Sequence, residues 1–179
     1  MIIYYRIIVI VCALLCSLKL FAQAQPNNES ATKIRATFMF HIVNYSRWQS
    51  EFAELTFCVL EERQSQKYFS MLTSNEFKGA SEKPISILNV DRIEDTLEKQ
   101  CNYLFVDSVN ESDDVFRQLN ELERSVVSIG ETSRFVDRGG MMSLVEEFKK
   151  IKIYINRDKY KSAPTKFSAR LLKYAKFTG

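Results

Sequence analysis

Four short apolar runs constrain the fold most strongly, because each has the length and composition of a strand that is covered on both faces. Segments of helical periodicity separate them, and this alternation is typical of an α/β sheet whose strands are mainly parallel. The runs are Leu55–Leu60 (LTFCVL), Ile85–Val90 (ISILNV), Tyr103–Val106 (YLFV) and Val126–Ile129 (VVSI). The predicted helices are Ser30–Trp48, Gln66–Leu72, Ile93–Lys99 and Val115–Leu122.

The C-terminal region departs from this alternation. Met141–Phe148 and Ile151–Ile155 have strand character and are joined by Lys149-Lys150, which predicts an antiparallel hairpin. Pro164 precedes an amphipathic segment, Thr165–Lys176, which predicts a terminal helix. We therefore expect a three-layer α/β domain, with a mainly parallel sheet flanked by helices, a C-terminal antiparallel hairpin and a terminal helix.

The N-terminus has the composition of a cleavable export signal. An apolar run extends from Ile7 to Leu18, and Ala22 and Ala24 supply small residues at the positions that signal peptidase reads. Lys19 interrupts the run before it reaches the roughly 20 apolar residues that a membrane anchor, the competing interpretation, needs. The sequence predicts a signal peptide at 1–24, a flexible leader at 25–32 and a single domain at 33–179. Export of this kind would place the mature chain in an oxidising compartment.

Charge excludes one class of partner. The full chain carries 25 Lys plus Arg and 22 Asp plus Glu, a formal net charge of +3. This excess is too small, and too evenly spread, for a chain whose main work is to bind nucleic acid through phosphate contacts. Removal of the signal peptide would lower the net charge to about +1 by the same formal counting.

Cleavage would leave two of the four cysteines, Cys58 and Cys101. In an oxidising compartment such a pair favours a disulfide. Two buried free thiols are the structural alternative.

The sequence holds no recognised catalytic or metal-binding motif. It lacks a Gly-x-Ser-x-Gly elbow, a Gly-x-Gly-x-x-Gly or Walker-type loop, His-Glu-x-x-His and an acidic calcium loop. The only histidine, His41, lies beside Phe38 and Tyr45 in the first predicted helix, where a packed structural role is the commoner one. We therefore expect no enzymatic activity, no catalytic residues, no cofactor and no metal.

The ends of the predicted strands offer a position for a ligand, because open α/β sheets bind ligands beyond the carboxyl ends of their strands. Polar residues follow each strand, but helix caps and solvated loops explain them equally well. The polar segments are Glu61–Gln64, Asp91-Arg92, Asp107–Asn110 and Glu131–Arg134.

Several segments together resemble the periplasmic YfiR family, over roughly Lys33 to Lys176. The most specific are Phe135–Glu146 (FVDRGGMMSLVE) and Ile151–Asn156 (IKIYIN), and the closing segment Phe167–Ala175 also fits. Positions that match the family pattern are Trp48, Cys58, Cys101, Gly139, Gly140, Met141, Asn156, Leu171 and Leu172. The chain departs from the pattern at Gln49, Glu61 and in having no Cys beyond Cys101, where some members form a second disulfide.

The resemblance implies a regulator that binds another protein. By this resemblance, the chain is similar to periplasmic α/β domains that dimerise and restrain a membrane-bound diguanylate cyclase, or a related inner-membrane sensor. They bind the periplasmic part of that protein, and redox or envelope stress relieves the restraint. Cys58 and Cys101 match the family's structural bridge, and Gly139, Gly140 and Asn156 match signature positions that we expect to determine the fold before any ligand binding. The alternative is a small-solute-binding domain that delivers an unknown ligand to a receptor or transporter.

Overall fold

The computed structural model describes residues 28–60, 84–122, 125–148 and 150–179. The chain divides into two compact units, Met1–Ala31 and Thr32–Gly179. The signal peptide at 1–24 and the helix at Gln66–Leu72 that the sequence predicts lie outside the described residues. The first helix begins at Asn28, inside the segment predicted as a leader.

The helices and strands of the described residues alternate through most of the chain. The helices are α1 (Asn28–Asn44), α2 (Asp95–Glu98), α3 (Asp113–Glu121), α4 (Ser133–Asp137), α5 (Arg157–Lys161) and α6 (Ala169–Leu172). The strands are β1 (Ser46–Trp48), β2 (Leu55–Leu60), β3 (Ile85–Val90), β4 (Tyr103–Phe105), β5 (Val127–Gly130), β6 (Met142–Glu147), β7 (Lys150–Asn156), β8 (Thr165–Phe167) and β9 (Ala175–Thr178).

The main sheet has seven strands in the order β3-β2-β4-β5-β6-β7-β9. Neighbours from β3 to β6 are parallel, β6 and β7 form an antiparallel hairpin, and β9 runs parallel to β7. A separate two-stranded sheet pairs β1 with β8. These pairings confirm the predicted α/β fold, its mainly parallel sheet and its C-terminal hairpin.

Alternate side chains of each strand enter different cores, as the two-residue period of a strand requires. Phe57 and Val59 of β2 face one side with α1, whereas Cys58 and Leu60 face the other. We call the first side the α1 face; its buried residues include Met39, Ile42, Tyr103, Ile129, Met142, Leu144, Ile153 and Ile155. The second is the disulfide face; its buried residues include Val90, Ile93, Cys101, Leu104, Phe116, Leu119 and Phe135.

The first helix is shorter than predicted. It ends at Asn44 rather than at Trp48, and the Ser46 hydroxyl donates a hydrogen bond of 2.6 Å to the Ile42 carbonyl at this end. Ser46–Trp48 then pairs antiparallel with Thr165–Phe167. The apolar periodicity continues past the helix because Trp48 packs against the same core from a strand.

The predicted terminal helix at Thr165–Lys176 is wrong over most of its length. Only Ala169–Leu172 is helical, capped by the Ser168 hydroxyl, which accepts from the Leu171 amide at 3.4 Å. The residues on either side are β8 and β9, each paired with a strand far away in sequence. Backbone pairing with those strands outweighs the helical pattern, which is a weak preference in a short segment.

Candidate functional site

Three sets of residues bear on function: the disulfide, the polar ends of the parallel strands, and the family-signature turns with the groove beside them. Cys58 of β2 and Cys101, just before β4, form a disulfide with a Cα–Cα distance of 5.8 Å and a sequence separation of 43. Both residues are buried, with exposures of 0% and 4%. The bridge is therefore part of the core, and a reductant can reach it only after the fold opens locally.

The carboxyl ends of β4 and β5 meet in a network of carboxylates. Glu111 accepts hydrogen bonds from the amides of Glu131 at 2.9 Å and Thr132 at 3.1 Å, and from the Thr132 hydroxyl. Glu131 in turn accepts from the Ser108 amide at 3.0 Å. The crevice at these strand ends is thus filled by side chains that bind the protein's own amides.

Asp107 and Arg35 extend this network. Asp107 accepts from the Asn110 amide at 3.1 Å, and its pKa is raised, mainly by burial and further by the nearby Glu131 and Glu111 carboxylates. The Arg35 guanidinium, from α1, lies 3.4 Å from a Glu131 oxygen and 3.7 Å from Glu146. A cation from the first helix therefore meets the carboxylates at the strand ends.

The arginines predicted near this crevice are directed elsewhere. Arg92 forms ion pairs with Glu94 and Asp95, both at 3.2 Å. Arg134 pairs with Asp113, and its guanidinium lies 5.0 Å from the centre of the Phe116 ring. Both therefore act locally at the starts of helices, and the Glu61–Gln64 strand end lies outside the described residues.

The signature glycines stand where a side chain would collide with its surroundings. Gly139 has φ +115°, in the region that favours glycine, and a Cβ there would come within 2.7 Å of Asn120 Cγ. Asn120 donates to the Phe116 and Arg138 carbonyls at 3.0 Å. A Cβ on Gly140 would come within 2.8 Å of the Phe135 carbonyl. Both glycines allow α4 to pack closely before β6.

Asn156 and Met141 join the elements around that turn. The Asn156 side-chain amide donates through Nδ2 to the Val136 carbonyl at 2.9 Å, and its Oδ1 caps α5 by accepting from the Asp158 and Lys159 amides at 3.1 Å. The Met141 amide donates to the Ser128 hydroxyl at 3.0 Å. Beside them lies an open polar cavity of about 390 Å³, lined in part by Asn120, Arg138, Gly139, Asn156 and Lys159.

The remaining signature positions belong to the α1 face. The Trp48 indole donates to the Tyr103 hydroxyl at 3.1 Å, and burial raises the pKa of Tyr103 to about 12. Leu171 is buried in the same core, and Leu172 packs partly against it. Their observed contacts are those of packing residues.

Sequence reasoning missed an apolar groove between α1, β7 and α6. It has a volume of about 480 Å³, and its walls include Phe38, Ile151 and Tyr174. The His41 ring stacks on Tyr45 with centroids 5.6 Å apart, and Arg170 donates to the Tyr45 hydroxyl at 3.4 Å. The spacing of Phe38, His41 and Tyr45 along α1 was the available signal, but the other wall comes from the C-terminal segment whose structure the sequence did not reveal.

The described residues thus define a disulfide-bridged α/β domain with internally satisfied strand ends and an apolar groove. A family model described as YfiR/HmsC-like matches residues 32–176, and the chain belongs to this family. Proteins of this family are periplasmic regulators. No curated protein matches the chain.

The described residues have neither a membrane-spanning helix nor a metal-binding cluster. None of their helices is both long and apolar enough to span a bilayer. They also contain no group of three or more His, Cys, Asp or Glu side chains arranged to hold a metal ion.

Proposed function

We propose that this chain is a periplasmic regulatory protein that restrains a membrane-bound diguanylate cyclase, or a related inner-membrane sensor, by binding its periplasmic part. The match of the YfiR/HmsC-like family over residues 32–176 carries the proposal. In this scheme residues 1–24 direct export and are removed after Ala24, residues 25–32 form a leader, and 33–179 bind the partner. The proposal includes a homodimer and requires no cofactor.

The contacts at the strand ends support binding through a surface over capture of a solute in the crevice. Glu111 and Glu131 occupy that crevice and accept hydrogen bonds from amides of the protein itself. A solute entering there would have to displace these bonds, and buried carboxylates that lose their donors are strongly destabilised. A partner protein bound elsewhere leaves them intact.

The disulfide offers a route for control by redox or envelope stress, once local opening exposes it to a reductant. Loss of a crosslink over a separation of 43 residues would remove roughly 4 kcal/mol in the chain-entropy model. Marginal domains have about 5 to 15 kcal/mol in total. Reduction would therefore loosen the domain enough to release a partner.

Deletion of the gene tests the proposal. We expect cyclic di-GMP to rise in the deletion strain and to return to the starting level when the full chain is supplied. A version without residues 2–24 is the matched control, because it contains the same binding domain without the export signal and should not restore repression. An unchanged cyclic di-GMP level after deletion would contradict the proposal, and rescue by the leaderless version would contradict its periplasmic location.

The groove between α1 and β7 favours a second candidate, binding of a small solute. Its apolar walls with Arg170 at one side suit an apolar anion. Thermal unfolding with a set of aromatic carboxylates measures this directly. A rise in melting temperature that Arg170→Gln abolishes would favour the solute reading, and no shift with any compound would count against it.

A further inference from the structure

The β6–β7 hairpin extends beyond the rest of the main sheet. β5 pairs with β6 only at Met142 and Ser143, and β9 pairs with β7 only from Ile153 onward. Residues 144–148 and 150–152 therefore form a two-stranded segment with no other strand beside it among the described residues, which we call the distal arm. Its base is covered by α1, because Leu144 is fully buried and Arg35 lies beside Glu146. At about 3.3 Å per residue, its tip lies about 16 Å beyond Ser143.

Phe148 stands at this tip in an unfavourable setting. Glu147 and Lys150 form the last cross-strand pair, so the turn begins at Phe148. The side chain is 97% exposed and the residue has φ +52°. Turns of this kind favour Gly, Asn or Asp, and a bulky residue there is a backbone outlier. A phenyl ring that fits neither the turn nor a core points to a contact outside the domain.

The charges of the distal arm favour an anionic partner. Glu146 lies 3.7 Å from the Arg35 guanidinium, and Glu147 accepts a hydrogen bond from the Tyr154 hydroxyl. Lys150 has no ion-pair partner among the described residues, and Lys149 adjoins it in sequence. Both acids thus have partners within the domain, whereas the exposed Phe148 ring and Lys150 stand near the tip without one in the described part of the chain.

We propose that the distal arm contacts the surface of an anionic phospholipid bilayer, with Phe148 entering the headgroup layer and Lys150 attracted to the anionic headgroups. Aromatic rings at headgroup depth together with basic side chains are the usual means of interfacial binding. Lys150 favours lipid over an apolar pocket in a protein, because such a pocket would desolvate its ammonium group. This contact goes beyond the proposed function, since it needs no cyclase, and it would orient the domain on the membrane where the regulated protein lies.

Flotation of the purified exported protein with vesicles tests the contact. Vesicles of phosphatidylcholine with phosphatidylglycerol should bind the protein, and pure phosphatidylcholine should bind it much more weakly. Phe148→Asn should weaken binding about tenfold or more, through loss of the buried ring. Lys149→Gln with Lys150→Gln should weaken it roughly fivefold per lysine at low salt.

Matched variants distinguish the membrane contact from a general loss of exposed apolar surface, positive charge or stability. Leu97→Ser removes another exposed apolar side chain, on α2, and Lys161→Gln with Lys173→Gln removes two other exposed lysines. Both should bind vesicles like the unaltered protein. Phe148→Asn should keep or raise the melting temperature, because Asn tolerates the left-handed conformation. If the melting temperature is kept, loss of vesicle binding in this variant cannot come from unfolding.

A tryptophan at the tip reports insertion directly. Phe148→Trp should retain binding, and brominated anionic lipids should quench the added fluorescence more than that of Trp48, the native tryptophan. Absence of binding by the unaltered protein, or equal binding by Phe148→Asn, would overturn the proposal. These outcomes leave the cyclic di-GMP test untouched, so failure of the membrane contact and failure of the regulatory role are distinguishable.

Discussion

The two faces of the main sheet are stabilised in different ways. The α1 face draws alternate side chains from β2, β4, β5, β6 and β7 and covers them with α1 and the C-terminal segment. On the disulfide face the described helices are shorter than the 17-residue α1, with four residues in α2, nine in α3 and five in α4. That face contains the covalent bridge between Cys58 and Cys101.

The difference indicates a division of stabilising forces. A large apolar interface can hold a long helix without a crosslink, because buried apolar area is the main favourable term in folding. Short helices bury little area, and α2 forms within the stretch of chain that the bridge closes. The disulfide restricts that stretch of chain in the unfolded state. This stabilisation compensates for the small apolar area that the short helices bury.

Removal of the bridge is the strongest test of this division. Cys58→Ala with Cys101→Ala should lower the free energy of unfolding by about 4 kcal/mol, measured by urea denaturation. In the folded unaltered protein the buried disulfide should resist reductant until the domain opens. A loss below about 1 kcal/mol, well short of the usual 2 to 5 kcal/mol, would show that the disulfide face is held by packing alone.

A matched pair of small truncations sharpens the comparison. Ile153→Val on the α1 face and Ile93→Val on the disulfide face each remove one methyl group from a buried residue and should each cost about 1 kcal/mol. Combined with removal of the bridge, Ile153→Val should be additive within about 0.5 kcal/mol, because the two sites are distant. Ile93→Val should not be additive, because Ile93 lies within the closed loop and shares a core with both cysteines.

Double-mutant cycles in urea measure both couplings. Equal coupling of the two valine variants to the bridge would break the proposed division, because the faces would then respond as one core. Coupling of bridge removal to Ile153→Val alone would mean that the disulfide stabilises the α1 face instead of its own.

Local patterns in the sequence explain how much of this fold could be predicted. The strands at Leu55–Leu60 and Ile85–Val90 were predicted with their observed bounds, because each is a short, mostly apolar run of strand length. The expectation that both faces are covered is confirmed for β2 but wrong for β3, which is an edge strand with Leu88 and Asn89 exposed. The hairpin followed from two adjacent strand-like segments. Patterns within a short stretch of sequence are enough to predict these elements.

Long-range pairing explains what the sequence did not reveal. Ser46–Trp48 and Thr165–Phe167 both continue helical patterns, yet they pair with each other across more than a hundred residues. The helix Ser133–Asp137 is too short to show a period. The apolar groove and the carboxylate network at the strand ends also combine residues from distant segments, so only their separate parts were visible as candidates.

The carboxylates at the strand ends supply the smallest and most specific test, because they connect the two faces. Asp107 comes two residues after β4, and Leu104 of that strand lies on the disulfide face. The neighbouring Glu131 pairs with Arg35 of α1, the helix that covers the other face. Burial raises the pKa of Asp107 in the folded state, with Glu131 and Glu111 adding to the shift. The folded state therefore holds this proton more tightly than the unfolded state does.

The sign of the pH dependence follows from that shift. Ionised Asp107 destabilises the fold above its folded pKa, and the penalty disappears as the pH falls below the unfolded value near 3.9. Asp107→Asn keeps an oxygen to accept from the Asn110 amide but carries no charge. Relative to the unaltered protein, this variant should be more stable at pH 7, and the difference in urea midpoint should vanish toward pH 3. A difference that is constant with pH would assign the change to packing, and a variant less stable at pH 7 would contradict the predicted sign.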